Sequence, residues 1–217
     1  MESTTKDNLK NTSEKEDMLL YEKKYWNNGY MYVAGADEAG RGPLAGPVYA
    51  AAVIFKPDIK ICGSVLEGLT DSKKLSEKKR DYYFDVIKET ALSYAIESVD
   101  EKTIDEINIL NAAFLAFSKA IDSLSQKCEV ALIDGNRMGN LSCDYELIVK
   151  GDAKSLSIAA ASVLAKVSRD RYMNELDEKY PQYGFKKHKG YPTKAHYEAL
   201  EKYGASDVHR KSFRLFK

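Results

Sequence analysis

Four acids stand where apolar runs of this chain stop. Asp37 and Glu38 follow YVAGA, Asp134 closes EVALID, and Asp152 follows DYELIVK through Gly151. A glycine adjoins each or nearly so: Gly40, Gly135 and Gly151. Strand ends cluster on one edge of a mixed sheet, and carboxylates converging there repel unless something positive sits among them. Divalent Mg²⁺ or Mn²⁺ is the natural counter-charge, since hard cations take carboxylate oxygens and keep waters. Four carboxylates suffice for two ions, spaced about 3.5–4 Å apart in two-metal phosphoryl transfer, one activating a water and the other stabilising the leaving oxygen. Only 3 histidines occur, which fits oxygen ligation better than a His-rich zinc site. Each acid also has a plainer reading. Asp134-Gly135-Asn136 makes a turn, and Asp152 caps the helix that follows. That reading is weakest for Asp37-Glu38, two adjacent acids in an apolar context. Strand neighbours face opposite ways, so both reach one cluster only if the strand bends or stops, and Ala39-Gly40 supplies the break.

Directly after the first acids comes Gly40-Arg41-Gly42. Glycines let a ligand approach the backbone closely, and successive N–H groups in such a turn form an anion nest. No GxxxxGK[ST] follows, and the spacing Gly40, Gly42, Gly46 is not GxGxxG, so neither a P-loop nor a dinucleotide fingerprint is present. A bare turn beside metals suits a sugar-phosphate strand whose 2′-OH separates RNA from DNA. The alternative is a hairpin turn with an incidental arginine. Further along, PQYGFKKHKGYPT places Tyr191 between Gly190 and Pro192 in a lysine-rich loop. There an exposed ring stacks on a sugar or base, or else packs as one of 15 tyrosines. Lys186, Lys187, Lys189 and Lys194 read as phosphate contacts or plain solvated charges, and Lys73, Lys74 and Lys166 as weaker cases. Phosphate contacts would make affinity salt-dependent. His188, His196 and His209 lack metal spacing and read as structural or phosphate-facing. Asp170, beside Arg169 and Arg171, reads as a helix ion pair rather than a fifth ligand.

The elements that must position these residues follow from periodicity and capping. Residues 1 to about 15 read as disordered and 13–26 as a helix. Strands are expected at 30–37, 47–55, 93–99, 129–134 and 144–150. Helices are expected at 76–90, behind a capping serine, from the capping box Thr103-Ile104-Asp105-Glu106 to about 124, and at 155–180. Three meandering strands, then strands that follow helices, predict a mixed sheet with helices on its faces. The run 159–161, three alanines, predicts a close helix-on-sheet contact. Residues 181–193 shift in composition and begin a surface loop or small appendage.

The 217 residues allow one large domain, with 44% hydrophobic content for its core. No window approaches a membrane span, and the polar N-terminus carries no apolar signal region. Cys62, Cys128 and Cys143 are odd in number and form no CxxC pair, which fits a reducing cytoplasm and argues against a structural zinc. Net charge is zero but uneven. From Lys150 onward 15 Lys+Arg face 8 Asp+Glu, leaving 18 against 25 before it. A basic C-terminal third hints at a polyanionic partner.

ADEAGRGPLAGPV resembles the signature of the bacterial ribonuclease HII family, the type 2 ribonucleases H. LTDSKKLSEKKR, INILNAA, LIDGN, KGDAKSLSIAAASVLAKVSRDRYM, YGFKKHKGYPTKAH and HRKSF are similar to family segments in the expected order, over residues 30–213. The resemblance implies an α/β, ribonuclease H-like fold: a mixed five-stranded sheet flanked by helices, with a C-terminal helical appendage. It implies a variable N-terminal extension at 1–28, a catalytic domain at 29–180 and a basic substrate-binding appendage at 181–217. The implied activity is endonucleolytic cleavage of the RNA strand of RNA–DNA hybrids, and incision 5′ to single ribonucleotides in DNA, leaving 3′-hydroxyl and 5′-phosphate ends. Asp37, Glu38, Asp134 and Asp152 match the family's metal-binding set. Gly40, Arg41 and Gly42 match the turn that reads the 2′-OH, and Tyr191 matches the tyrosine that senses the following deoxyribose. The related type 3 enzymes carry a different turn after their first acids, so Arg41 favours type 2. Ala205 departs from the family's usual proline, away from the acids. The expected partners are RNA–DNA hybrid and ribonucleotide-containing DNA duplex, with no membrane, for a monomer in the cytoplasm. Two other classes stay open: a non-catalytic nucleic-acid-binding module, which would not need the acids, and another carboxylate metalloenzyme such as a DNA resolvase, which would not need the turn or Tyr191.

Overall fold

Apolar residues with almost no exposure make the centre of a five-stranded sheet. In the computed structural model, which describes residues 17–216, β1 (Val33–Ala39) pairs antiparallel with β2 (Val48–Ile54), and β2 pairs antiparallel with β3 (Ser93–Val99). On the other side β1 pairs parallel with β4 (Val130–Asp134), which pairs parallel with β5 (Asp144–Ile148), giving the order β3-β2-β1-β4-β5. β2 is buried from Ala50 through Ile54 because helices cover both of its faces. β2 and β3 are neighbours although the helix α2 (Glu77–Thr90) lies between them in sequence. The expected disorder of the first 15 residues lies outside the described residues, and so does the start of the helix expected from Ser13. Its described part is α1 (Leu20–Trp26).

Small residues decide how closely the helices approach. α3 (Glu101–Asp122) lays Ala112, Ala113, Ala116, Phe117 and Ala120 on one face, against Ala34, Ala36, Ala50, Ala52 and Ile133. α4 (Leu156–Lys179) lays Ala159, Ala160 and Ala161 on the other, all fully buried, as the alanine run predicts. The approach is closest at Gly35, where a Cβ would stand 2.2 Å from the backbone of Ser157. No side chain fits there, so Gly35 sets α4 across β1 two residues before Asp37.

Two expected caps are corrected. α3 begins earlier than the box at Thr103. Asp100 is its N-cap and accepts from the Thr103 N–H at 2.8 Å, placing Thr103 inside the first turn. α3 is then broken at Asn108 (φ 65), whose Oδ1 restarts it by accepting from Leu110 and Asn111. Asp152 does not cap the long helix. Ser155 does, through Ile158 N–H at 3.2 Å, and Asp152 sits in a single 3-10 turn, Gly151–Ala153. Beyond α4, α5 (Phe185–His188) and α6 (Lys194–Tyr203) pack Tyr183, Phe185, Ala199 and Leu200 on Met173, Leu176, Leu44 and Ala45. The appended segment thus shares its core with the loop that follows the turn 40–42.

Candidate metal centre and nucleic-acid interface

Parallel pairing brings the first and third acids together. β1 and β4 run the same way with Ala36 opposite Ile133, so Asp37 and Asp134 are the next residues on adjacent strands. Gly135 turns the chain with φ +129, and its N–H donates to Ile148 O of β5, which leads to the 3-10 turn holding Asp152. Asp37, Asp134 and Asp152 each offer a carboxylate oxygen, all within 4.8 Å of one another. Gly151 N–H donates to Asp134 Oδ1 at 2.6 Å, and Glu38 N–H donates to Asp37 Oδ1 at 2.7 Å. The fourth acid stands apart from this trio. Glu38 faces Arg41, its Oε1 3.4 Å from Nη1, as alternation along β1 requires.

The cluster is electrostatically overloaded. Burial pushes the Asp37 carboxyl well above the usual carboxylate range, and the charges of Glu38 and Asp134 push it further. Burial, then Asp134 and Asp71, push Asp152 up to about 6. Glu38 is raised by burial and by Asp134, against the pull of Arg41. Burial disfavours the Lys73 ammonium, yet Asp37, Asp71, Asp152 and Asp134 together hold its pKa above the ordinary lysine value. Lys73 therefore sits within reach of the acids' field. Asp71, two residues earlier, lies close enough to Asp152 to raise its proton affinity. Sequence reasoning missed Asp71, because an acid beside serine and lysines with no apolar strand before it carries no local mark of a site.

The turn after β1 is bare and open. Gly40 adopts φ +101, and a Cβ there would lie 2.2 Å from Arg169 Nε. Tyr191 lies next to the turn: a Cβ on Gly42 would come 3.7 Å from the ring's Cε1. Its ring is 42% exposed, so it is available to a ligand rather than packed away. Leu44 N–H donates to Gly190 O, joining the two loops. Beneath them lie two arginines that the sequence did not single out for this place. Arg169 is buried and donates to Pro47 O, Ala45 O and Lys189 O. Arg210 is buried and donates to Gly46 O, Arg41 O and Gly40 O. Asp170 pairs with Lys166 at 2.7 Å, and Arg171 with Asp81. Arg169 takes no part in the helix ion pair expected around Asp170.

The lysines differ among themselves. Lys187 is exposed, and the Lys194 ammonium meets Glu198 at 3.7 Å. Lys189 is half-buried, with Nζ on Asn174 Oδ1, and burial lowers its pKa. The histidines are structural. His209 Nδ1 accepts from Ser206 N–H, His209 Nε2 meets His196 Nε2 at 3.1 Å, and His196 Nδ1 reaches Tyr191 O at 3.0 Å. Burial lowers both rings to about 4, which fits a neutral relay holding the Tyr191 loop.

The ribonuclease HII family model matches residues 34–216. The chain belongs to the ribonuclease HII family. It is 53% identical over 208 residues to ribonuclease HII of Clostridioides difficile, covering 95% of this chain and 80% of that one. It is 52% identical over 201 residues to ribonuclease HII of Caldicellulosiruptor bescii, covering 93% and 95%. Its fold is similar to the crystal structure of ribonuclease H2 from Pyrococcus horikoshii, with TM-score 0.70 and 28% identity over 85% of this chain and 95% of that one. The chain is a divalent-metal-dependent endonuclease. It cleaves the RNA strand of RNA–DNA hybrids and incises 5′ to single ribonucleotides in DNA. No helix of the described residues is long and apolar enough to cross a membrane.

Proposed function

We propose that Asp37, Glu38, Asp134 and Asp152 hold two divalent ions, Mg²⁺ or Mn²⁺, and that the turn 40–42 and Tyr191 choose the bond to be cut. The observation that carries the reading is the trio of carboxylates within 4.8 Å of one another, Asp37 and Asp152 with proton affinity raised by burial and neighbouring charge. All-oxygen donors of this kind suit hard cations, which would relieve the repulsion. When bound, such ions activate a water for in-line attack and neutralise the leaving oxygen. The chain's own groups do the rest. Gly151 N–H orients Asp134, and Asp71 and Lys73 border Asp152. The turn meets the ribose and senses its 2′-OH. Tyr191 stacks on the deoxyribose that follows, and Lys73, Lys187 and Lys189 hold phosphates. The products carry 3′-hydroxyl and 5′-phosphate ends.

In this reading 29–180 is the catalytic domain, 181–217 grips the duplex and 1–28 is an extension. The protein works as a monomer in the cytoplasm on hybrid and on ribonucleotide-containing duplex. The test is cleavage of a DNA duplex containing one ribonucleotide, in Mg²⁺ and then Mn²⁺. An all-DNA duplex and the Asp134→Asn variant serve as controls. A single cut 5′ to the ribose, absent from both controls, is expected. Cleavage of long hybrid but not of the single ribonucleotide removes the role given to Tyr191.

A further inference from the structure

Two guanidiniums are buried between the turn 40–42 and the Tyr191 loop, and among the described residues neither hydrogen-bonds a carboxylate. Arg169 is 1% exposed and Arg210 is fully buried. Burying a cation is costly unless every donor is satisfied, and arginine does not shed its proton to escape. Here six backbone carbonyls do the work: Pro47, Ala45 and Lys189 for Arg169, and Gly46, Arg41 and Gly40 for Arg210. Carboxylates act on them only through space: Asp170 and Glu101 on Arg169, Glu101 and Asp105 on Arg210, with Glu101, at the start of α3, common to both. Glu101 leaves its Oε1 without a hydrogen-bond partner among the described residues.

The carbonyls involved fix the peptide planes of the turn. In a trans peptide the C=O and the next N–H point in opposite directions, and no peptide here is cis. Arg210 draws Gly40 O and Arg41 O inward, at 2.6 and 3.0 Å, so the N–H groups of Arg41 and Gly42 face away from the core. Neither N–H meets an acceptor among the described residues. Arg169 ties the same body to the Tyr191 loop through Lys189 O at 3.0 Å, and its guanidinium lies 5.9 Å from the Tyr191 ring centroid.

We propose that Arg169 and Arg210 are positioning residues for ribonucleotide recognition. Arg210 aims the turn's two free N–H groups at the substrate, and Arg169 sets the distance between that turn and Tyr191. The assignment rests on the reading above that the turn meets the ribose and Tyr191 the next sugar.

The test is Arg210→Lys and Arg169→Lys, assayed on a single-ribonucleotide duplex and on an RNA–DNA hybrid, with Mn²⁺ affinity measured by calorimetry. A lysine keeps the charge but offers one nitrogen in place of the fork. Arg210→Lys is expected to slow both substrates about a hundredfold, the scale of a misplacement of about 1 Å, with Mn²⁺ affinity unchanged. Arg169→Lys is expected to slow single-ribonucleotide incision more than hybrid cleavage. Wild-type rates for Arg210→Lys, an unchanged substrate ratio for Arg169→Lys, or parallel loss of Mn²⁺ affinity overturns the assignment. If a lysine variant fails to fold, amide hydrogen exchange on the unmodified protein decides. Fast exchange at Arg41 and Gly42 supports the assignment, and protection in the free protein overturns it. Equal protection of these amides by an all-DNA duplex and a ribonucleotide duplex removes the ribose reading instead, a failure distinct from that of the arginines.

Discussion

The C-terminal end of β1 leads to two opposite electrostatic imbalances a few residues apart. At Asp37, carboxylates gather with Lys73 as their nearby cation. From Gly40 onward, two guanidiniums gather, and Glu101 acts on both without a hydrogen bond to either. The acids are left short of partners, and their proton affinity rises. Each guanidinium nitrogen of the arginines has a partner, a carbonyl that carries no net charge. The first imbalance waits for a ligand, whereas the second is settled inside the fold and spends its strength on holding backbone. A buried charge marks a binding site when its partners are missing and a scaffold when they are present.

Removing a charge from each side tests the contrast. Asp134→Asn is expected to abolish cleavage while raising the melting temperature of metal-free protein, because Asp134 is one source of the strain on Asp37 and Asp152. Rate assays and thermal melts in chelator check both halves, and a lowered melting temperature breaks the comparison. Arg210→Met is expected to move the melting temperature the other way. It strands Gly40 O, Arg41 O and Gly46 O, and leaving one buried acceptor unmade costs about 1–3 kcal/mol. A loss of about 3 kcal/mol lowers the melting temperature by roughly 6–12 °C in a chain of this size.

A milder test uses pH. Asp37 and Asp152 bind protons more tightly folded than unfolded, so their contribution to the stability of the metal-free protein is lost as pH rises from about 4, the ordinary carboxylate value, through about 6, while His196 and His209, buried neutral, contribute the opposite trend. Mg²⁺ or Mn²⁺ is expected to restore the loss at pH 7 and to do little at pH 4. The rise in melting temperature on adding metal, measured across that range, shows it, and a rise no larger at pH 7 than at pH 4 contradicts the sign. The smallest effect is expected at Lys187→Ala, where one exposed phosphate contact is removed. Duplex affinity falls slightly, and the slope of log K against log salt drops by about 1.

The acids were legible because an acid that ends an apolar run beside a glycine is a local pattern. Their convergence was not local. It depends on β4 pairing parallel to β1, across a separation bridged by α2, β3 and α3. The Thr103 box failed because Asp100 offers an equivalent cap three residues earlier, and local rules cannot rank the two. Arg169 was illegible for another reason. An arginine flanked by charge on a helix reads as solvent-facing, and its true partners are carbonyls from distant loops, which no side-chain pattern announces. Glu22 was hidden in the same way within the extension. It is fully buried, and its Oε1 accepts from Ser155 Oγ, Ser157 N–H and Ser157 Oγ at the start of α4.

That last contact sets a timetable for the molecule as it is made. Glu22 leaves the ribosome 133 residues before the serine it will accept from. During that interval the first acids, Asp37 and Glu38, already exist, but the turn carrying Asp152 and the helix that seats it do not. Contacts this far apart in sequence close late, after the intervening chain is ordered. A nascent chain therefore carries an incomplete metal centre until α4 arrives and Glu22 pins its first turn.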